Sequence, residues 1–259
     1  MQTQTYPTDL TDRQWDCIKE YMPVAKPGGR PRRVAMRAVR NAIRYVLVTG
    51  CPWRQVPHDY PNWQTVYGYF RGWRDDGTWQ RIHDTLRAQV RTQAGRQKHP
   101  TAGCLDSQSG KASAHRGERG SESGTHVNGR KRQLLVDTLG LLLAMVVTTA
   151  SMSDPQGAKR ICRRLQGGGK KLRWIWVDGA YRGTLLEWVV MRDPFRLPPI
   201  VHAARPQGFV VLPRRWVVER TFAWRTQCRR RDKDYEVLRS TSEALISIAM
   251  IRLMIRRVA

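Results

Sequence analysis

The stretch Gln133-Leu134-Leu135-Val136-Asp137-Thr138-Leu139-Gly140-Leu141-Leu142-Leu143-Ala144-Met145-Val146-Val147-Thr148 decides the fold class. Two apolar, partly β-branched runs, Gln133–Val136 and Leu141–Thr148, flank Asp137-Thr138-Leu139-Gly140, and that pattern predicts a hairpin. The same region, Leu134–Ala150, is the most apolar of the chain. Interrupted by Asp137, Gly140 and three threonines, it is too short and too polar to span a bilayer.

Working outward, Asp154–Leu165 reads as a helix opened by an Asp-Pro cap. Leu172–Val177 has a buried-strand pattern and ends at Asp178-Gly179. Arg182–Val190 reads as helix, Gly208–Leu212 as strand and Arg215–Arg231 as a basic helix. Ser240-Thr241-Ser242-Glu243 is a capping box opening a C-terminal helix. Before the hairpin, Gly103-Cys104-Leu105 is a short strand ending in Asp106, and Gly110–Arg132 reads as a long basic loop. A hairpin followed by alternating strands and helices predicts an α/β layer with a mixed sheet. A ribonuclease-H-like layer is one such arrangement, and pattern alone does not select it.

The first 95 residues read as helices. Thr11-Asp12-Arg13-Gln14 is a capping box. Ala35, Val39, Ala42, Ile43 and Val46 form one apolar face, with Arg37, Arg40 and Arg44 away from it and Gly50 as the stop. Asn62 caps a helix carrying Val66, Tyr67, Phe70 and Trp73. Thr78 caps another carrying Trp79, Ile82, Leu86 and Val90. Short helices, tight turns and basic faces resemble a helix-turn-helix module. In that reading Asn62–Arg74 is the recognition helix, with Gln64, Arg71 and Arg74 projecting from it. A plain helical bundle with a solvated basic face explains the composition equally well. Residues 91–103 read as a linker, dividing a helical 1–95 domain from a 96–259 α/β domain.

Charge points to a partner. The 259 residues carry 46 Lys and Arg against 21 Asp and Glu, a net charge of +25. Residues 1–100 hold 17 of the cations and 8 of the acids, so the charge is spread and not a tail. A chain this basic repels itself unless a polyanion is near, which makes nucleic acid the first partner to consider. The five cysteines include no CxxC pair, and the six histidines show no HxH or HExxH pattern. A disulfide framework and a zinc site are therefore not expected, and a reducing cytosol is the natural compartment. Met1–Pro7 has neither the charged nor the apolar region of a signal peptide.

In such a basic domain an acid at a strand end needs a reason. Asp106 and Asp178 stand at such ends, and Glu219 lies in the basic helix Arg214-Arg215-Trp216-Val217-Val218-Glu219-Arg220. Three converging carboxylates can hold two divalent cations, which prefer oxygen ligands. Two ions clamp the attacking and leaving oxygens of a phosphodiester displacement. Three plainer explanations stand beside this one. Asp106 fits a turn acid, Asp178-Gly179 is a common turn pair, and Glu219 can pair with Arg215 one helical turn away.

Those residues carry a family resemblance. The chain resembles the DDE transposases of bacterial insertion sequences, of the IS-five type, over nearly its whole length. Leu10-Thr11-Asp12-Arg13-Gln14-Trp15, Gly50–Pro57 and Trp63–Trp79 resemble the helical domain of these proteins. Asp106-Ser107-Gln108-Ser109 resembles the first-aspartate motif, and Gly129-Arg130-Lys131-Arg132 through Gly140 the hairpin after it. Val177-Asp178-Gly179-Ala180-Tyr181-Arg182 resembles the second-aspartate segment, and Pro213–Trp224 the glutamate segment. Four positions depart from the pattern: Gly110, Gln133, Leu212 and Thr226 stand where an aliphatic residue, a histidine, a tyrosine and a lysine are usual. Met191–Pro199 does not resemble the family.

The resemblance implies a ribonuclease-H-like catalytic core behind an all-α, helix-turn-helix-like domain. It implies Asp106, Asp178 and Glu219 as catalytic residues and ligands of two Mg²⁺ or Mn²⁺ ions. It implies cleavage at terminal inverted repeats and strand transfer into target DNA by a homodimer, in the bacterial cytoplasm at the nucleoid, with no membrane partner. Phosphate contacts are expected from Arg71, Arg74, Arg130, Lys131, Arg132, Arg214, Arg215 and Arg220. The competing reading is a non-catalytic or decayed transposase-derived protein that binds DNA only.

Overall fold

The computed structural model describes residues 6–24, 32–113, 117–122, 124, 126–165, 171–178, 181, 185, 188–189 and 215–259. The strand expected at Gly208–Leu212, most of the helix expected at Arg182–Val190, and Met191–Pro199 lie outside them. The chain forms two compact units. One comprises residues 1–94, 227–232 and 244–259, the other 95–226 and 233–243. A division at 95/96 by sequence assigns the whole C-terminal segment to the sheet. In the structure most of the last helix belongs to the helical unit, because Leu245, Ile246, Ile248, Met250, Ile251, Met254 and Ile255 are apolar around most of its girth and all buried.

The helical unit contains α1 (Asp12–Asp16), α2 (Met36–Thr49), α3 (Trp63–Asp75) and α4 (Thr78–Gln93). Its caps follow the sequence closely. Thr11 Oγ1 accepts from the Gln14 N–H at 3.2 Å, and Asn62 Oδ1 accepts from the Gln64 N–H at 2.9 Å. Gly50 ends α2 in the left-handed region (φ +79°) and donates its N–H to the Val46 carbonyl. The start of α4 differs: the N-cap position is Gly77 and not Thr78, and Asp76 Oδ1 accepts both the N–H and the hydroxyl of Thr78. Arg40 and Arg44 also differ from expectation, since both are buried. The Arg40 guanidinium sits 4.7 Å from the Trp79 ring centre, where aromatic stacking replaces part of its hydration. Burial first, then the charge of Arg44, disfavours its protonated form.

The second unit is a five-stranded mixed sheet. Its strands are β1 (Ala102–Lys111), β2 (Gly120–Glu122), β3 (Val127–Asp137), β4 (Leu142–Thr149) and β5 (Trp174–Val177). β3 pairs antiparallel with β1 on one side and with β4 and β2 on the other, while β5 runs parallel to β1. The hairpin between β3 and β4 is the one expected. Asp137 accepts from the N–H groups of Leu139 (2.9 Å) and Leu141 (2.8 Å), and Gly140 takes a left-handed conformation (φ +79°). The loop expected over Gly110–Arg132 is strand at both ends, with β2 between. The sequence hides these strands because Arg130-Lys131-Arg132 are cations in buried positions, which breaks the apolar alternation.

Two faces follow from the pleat. Leu105, Leu135, Val146, Ile175 and Val177 turn to one side and form a core with Ala158, Ile161, Cys162 and Leu165 of α5 (Asp154–Leu165). Cys104, Asp106, Leu134 and Val136 turn to the other. The helix α6 (Arg215–Thr226) packs against β1 and β3. Its buried residues Val217, Val218 and Phe222 take no part in the first core, so it covers this second face. Arg130 also reaches this side. It pairs with Asp234 at 3.3 Å and donates to the Val237 carbonyl at 2.7 Å, while Ser242 Oγ lies 2.6 Å from Asp234. That network pins 233–243, including the first turn of α7 (Arg239–Val258), to the sheet. The Glu243 of the C-terminal capping box turns outward to the sheet edge, accepting from the Val147 N–H at 2.9 Å.

Two stability predictions result. Asp234→Ala strands the buried Arg130 charge and should cost about 3–5 kcal/mol, read as a lower chemical-denaturation midpoint. Gly157 of α5 lies so close to the Gln133 amide that an added Cβ collides with it. Gly157→Ala should therefore destabilise by about 1–3 kcal/mol despite the better helix propensity of alanine. Gln133→Ala in the same chain should recover part of that loss in a double-mutant cycle.

Candidate active site

The parallel pairing of β1 with β5 ends on Leu105 opposite Val177. The next residues of the two strands are Asp106 and Asp178. Asp106 on β1 and Asp178 just past β5 therefore each follow the last paired position of strands that lie about 4.8 Å apart. The sequence expectation of Asp178 just past a buried strand is met, with β5 closing at Val177 and the Asp178 carbonyl accepting from the Tyr181 N–H at 3.0 Å. Asp106 does not end its strand. It stands in the middle of β1, which runs on to Lys111 because the buried cations of β3 give its second half a partner.

Asp106 alternates with Leu105 and so turns to the face that α6 covers. Glu219 lies on α6 and is exposed, one position beyond the buried Val217-Val218 pair. Among the described residues no three His, Cys, Asp or Glu side chains come together in a group able to hold a metal ion. The structure thus brings Asp106 and Asp178 to adjacent positions, and Glu219 to the helix over that face.

A second set of residues joins the two aspartates. Ser107 Oγ donates to Asp154 Oδ1 at 2.7 Å, at the start of α5. Lys131 Nζ reaches the same Asp154 oxygen at 3.1 Å and Glu122 at 2.6 Å. Burial alone would lower the Lys131 pKa, yet its two carboxylate partners raise it above the ordinary lysine value. The Tyr181 phenol is 2% exposed, and its pKa stands well above 10. Burial is the main cause, followed by the charges of Asp154, Asp106 and Asp178. A buried hydroxyl thus lies among the charges of three carboxylates, and both burial and those charges disfavour its ionised form.

Sequence reasoning missed Asp154, Ser107 and Tyr181 as members of this set. Asp154 reads as a helix cap, and that local role hides its tertiary one. Like Asp106 and Asp178, it is an acid in a basic domain, and that scarcity is the signal by which it stands out.

The expected phosphate contacts divide sharply. Arg71 is exposed on α3. Arg74 does not project: its side chain is 11% exposed and paired with Asp75 at 2.8 Å. Arg130, Lys131 and Arg132 are at most 4% exposed, so the densest run of cations in the hairpin is interior and not a phosphate surface. Arg132 lies against Gly110, and Arg130 and Lys131 are held by the carboxylates above. Arg214 and the side chain of Arg215 lie outside the described residues. Arg220 is partly exposed, its guanidinium 4.3 Å from the Trp216 ring centre and 4.6 Å from that of Trp224. No helix among the described residues is long and apolar enough to cross a membrane.

Known proteins share both parts of the chain. Residues 10–83 match the family described as "Putative transposase of IS4/5 family", and residues 97–254 match "Transposase DDE domain". A Burkholderia cepacia protein, "Insertion element IS402 uncharacterized 16.2 kDa protein", is 33% identical over 88 residues, covering 32% of this chain and 60% of that protein. The chain thus spans about 60% of the length of this curated relative. The DDE match extends over more than half of the chain and takes in the mixed sheet, Asp106, Asp178 and Glu219. The chain belongs to the DDE transposase family, whose catalytic domain is ribonuclease-H-like.

Proposed function

We propose that this protein is a transposase that cuts DNA at the ends of its element and joins those ends to target DNA, with Asp106, Asp178 and Glu219 as the catalytic carboxylates. The observation that best supports this is the Leu105–Val177 pairing, which sets Asp106 beside Asp178. DDE transposases in general use divalent metal ions. The donors here suit such ions, because carboxylate oxygens are hard ligands and the charges of Asp106 and Asp178 both reach Tyr181. Bound by Asp106, Asp178 and Glu219, two Mg²⁺ or Mn²⁺ ions would supply charge stabilisation for the attacking and leaving oxygens.

The chain's own residues support the rest. Lys131 and Ser107 hold Asp154, so the start of α5 is tied to the middle of β1. Arg220, adjacent to Glu219 and flanked by two tryptophans, brings a weakly hydrated cation to a place where a phosphate would pass. One chain has one such set of acids and an element has two ends, which favours a homodimer acting on DNA. The working place in this reading is the bacterial cytoplasm, at the nucleoid.

Asp178→Asn keeps shape while removing an anionic ligand. Strand cleavage of inverted-repeat DNA in Mg²⁺ or Mn²⁺ should fall at least about 100-fold, since ligand charge is worth several kcal/mol in such sites. Duplex binding should be unchanged. Normal cleavage by this variant would end the assignment. In the helical unit, Arg71→Ala should weaken binding of inverted-repeat DNA and flatten its salt dependence by about one phosphate contact. Arg74→Ala should do neither, because Arg74 is held against Asp75. Filter-binding titrations at several salt concentrations separate the two variants.

A further inference from the structure

The sheet unit carries a second charged feature, on the edge opposite β5. A cavity of about 320 Å³ opens where α5 crosses β4, lined by Val146 and Val147 of β4, by Arg160, Arg163 and Arg164 of α5, and by the first turn of α7. The arginines fall at i, i+3 and i+4, so all three share one helix face. Like charges at that spacing repel one another.

Nearby acids do not neutralise all of them. Arg164 is committed to the fold: it pairs with Glu243 at 2.9 Å and donates to the Met145 carbonyl at 2.5 Å, while the other oxygen of Glu243 accepts from the Val147 N–H. Arg239 pairs with Glu118, whose side chain is 69% exposed and well screened. Arg163 faces the Trp188 ring at 5.7 Å, and Arg160 has no hydrogen-bond or ion-pair partner among the described residues. Both are exposed. Of the four guanidinium groups around this opening, Arg164 and Arg239 each meet a carboxylate, and the excess cations of Arg160 and Arg163 give it the composition of an anion site.

We infer that this cavity is a docking site for the sugar-phosphate backbone of double-stranded DNA, separate from the carboxylate site. β3 lies between β4 and β1, so the cavity is at least roughly 10 Å from the Asp106 edge. The phosphates it holds are therefore not the one that reacts. They belong to flanking duplex or to a second duplex. Arginine forks grip phosphate bidentately and carry no base information there, so the site adds affinity without sequence preference. The inference rests on the reading of the protein as acting on DNA, and its test does not use cleavage.

The full-length Arg160→Glu/Arg163→Glu variant is titrated with a random-sequence duplex in chelator, where no strand is cut. Its affinity near 0.1 M salt should fall at least about tenfold. The slope of log affinity against log salt should shrink by about 2, as for two lost phosphate contacts. The control is Lys171→Glu/Arg173→Glu, an equal charge change at exposed positions before and at the N-terminal end of β5. It should lose much less. Arg160→Gln/Arg163→Gln, a milder change, should show the same ranking with a smaller loss, and thermal melts confirm folding of each. Equal loss in variant and control, or no loss in either, overturns the inference. So does a loss confined to duplex RNA. Failure of the wild type to bind any duplex would instead defeat the DNA-acting reading, whereas wild-type binding without cleavage would leave the docking site standing.

Discussion

Burying Arg130, Lys131 and Arg132 in the middle of a sheet is the constraint on which this structure turns. A buried cation is costly unless a carboxylate, hydrogen bonds or an aromatic face replaces part of its hydration. Alternation along β3 sends Arg130 and Arg132 to one face and Lys131 to the other. Each face must then supply acids from elsewhere in the chain. Asp234 comes from 104 residues downstream to meet Arg130, and Asp154 and Glu122 meet Lys131 on the opposite side. These pairings fix where 233–243 lies, where α5 begins and where β2 joins the sheet. In a chain of net +25, acids are scarce, and few alternative partners exist for these three cations. The scarcity makes the pairing specific.

The same network leads to the carboxylate edge. Asp154 answers Lys131 and Ser107 together, and Ser107 is the residue after Asp106. The position of Asp106 is thus coupled to the charge balance of β3 through two contacts. Tyr181 adds a further link, because a neutral phenol under three carboxylates fills the space between β5 and α5 without adding charge. Lys131, the cation on the Asp154 side of the sheet, is committed to Asp154 and Glu122 and so adds no free positive charge there.

The sequence was most legible where periodicity and caps coincide. The β3–β4 hairpin with its Asp137–Gly140 turn, the helix over Asp154–Leu165, the Thr11 and Asn62 caps and the Gly50 stop all appear where pattern puts them. It was least legible where charge stands in for apolar surface. Gly110–Arg132 reads as loop because its inward residues are cations, and Arg40 reads as solvent-facing because a tryptophan that buries it is 39 residues away. For the site, Asp106 and Asp178 could be singled out as acids without a local purpose, while their adjacency needed the β1–β5 register. Glu219 could be placed on a helix, but nothing in its spacing says which face of the sheet that helix covers. Asp154 escaped notice because a helix cap is a sufficient local explanation for it.

Charge density along the chain therefore misleads about where a polyanion binds. The run Arg130–Arg132 is the kind of cluster usually assigned to nucleic acid, yet it is interior, and Arg74 is spent on its neighbour Asp75. Other surface cations, such as Lys19 and Arg81, have acids one helical turn or so away. Arg71 stands exposed on α3, and Arg160 and Arg163 stand on the outer side of α5. Their shared feature is helical presentation: a helix carries its neighbours at i+3 and i+4 on one face, whereas a buried strand turns successive cations to opposite sides, each needing its own acid. Cations on helices can remain unpaired at the surface at small cost, because water screens them until a phosphate replaces it. In the sheet, then, arginine and lysine help to build the structure, whereas the exposed Arg71, Arg160 and Arg163 on α3 and α5 remain open to solvent.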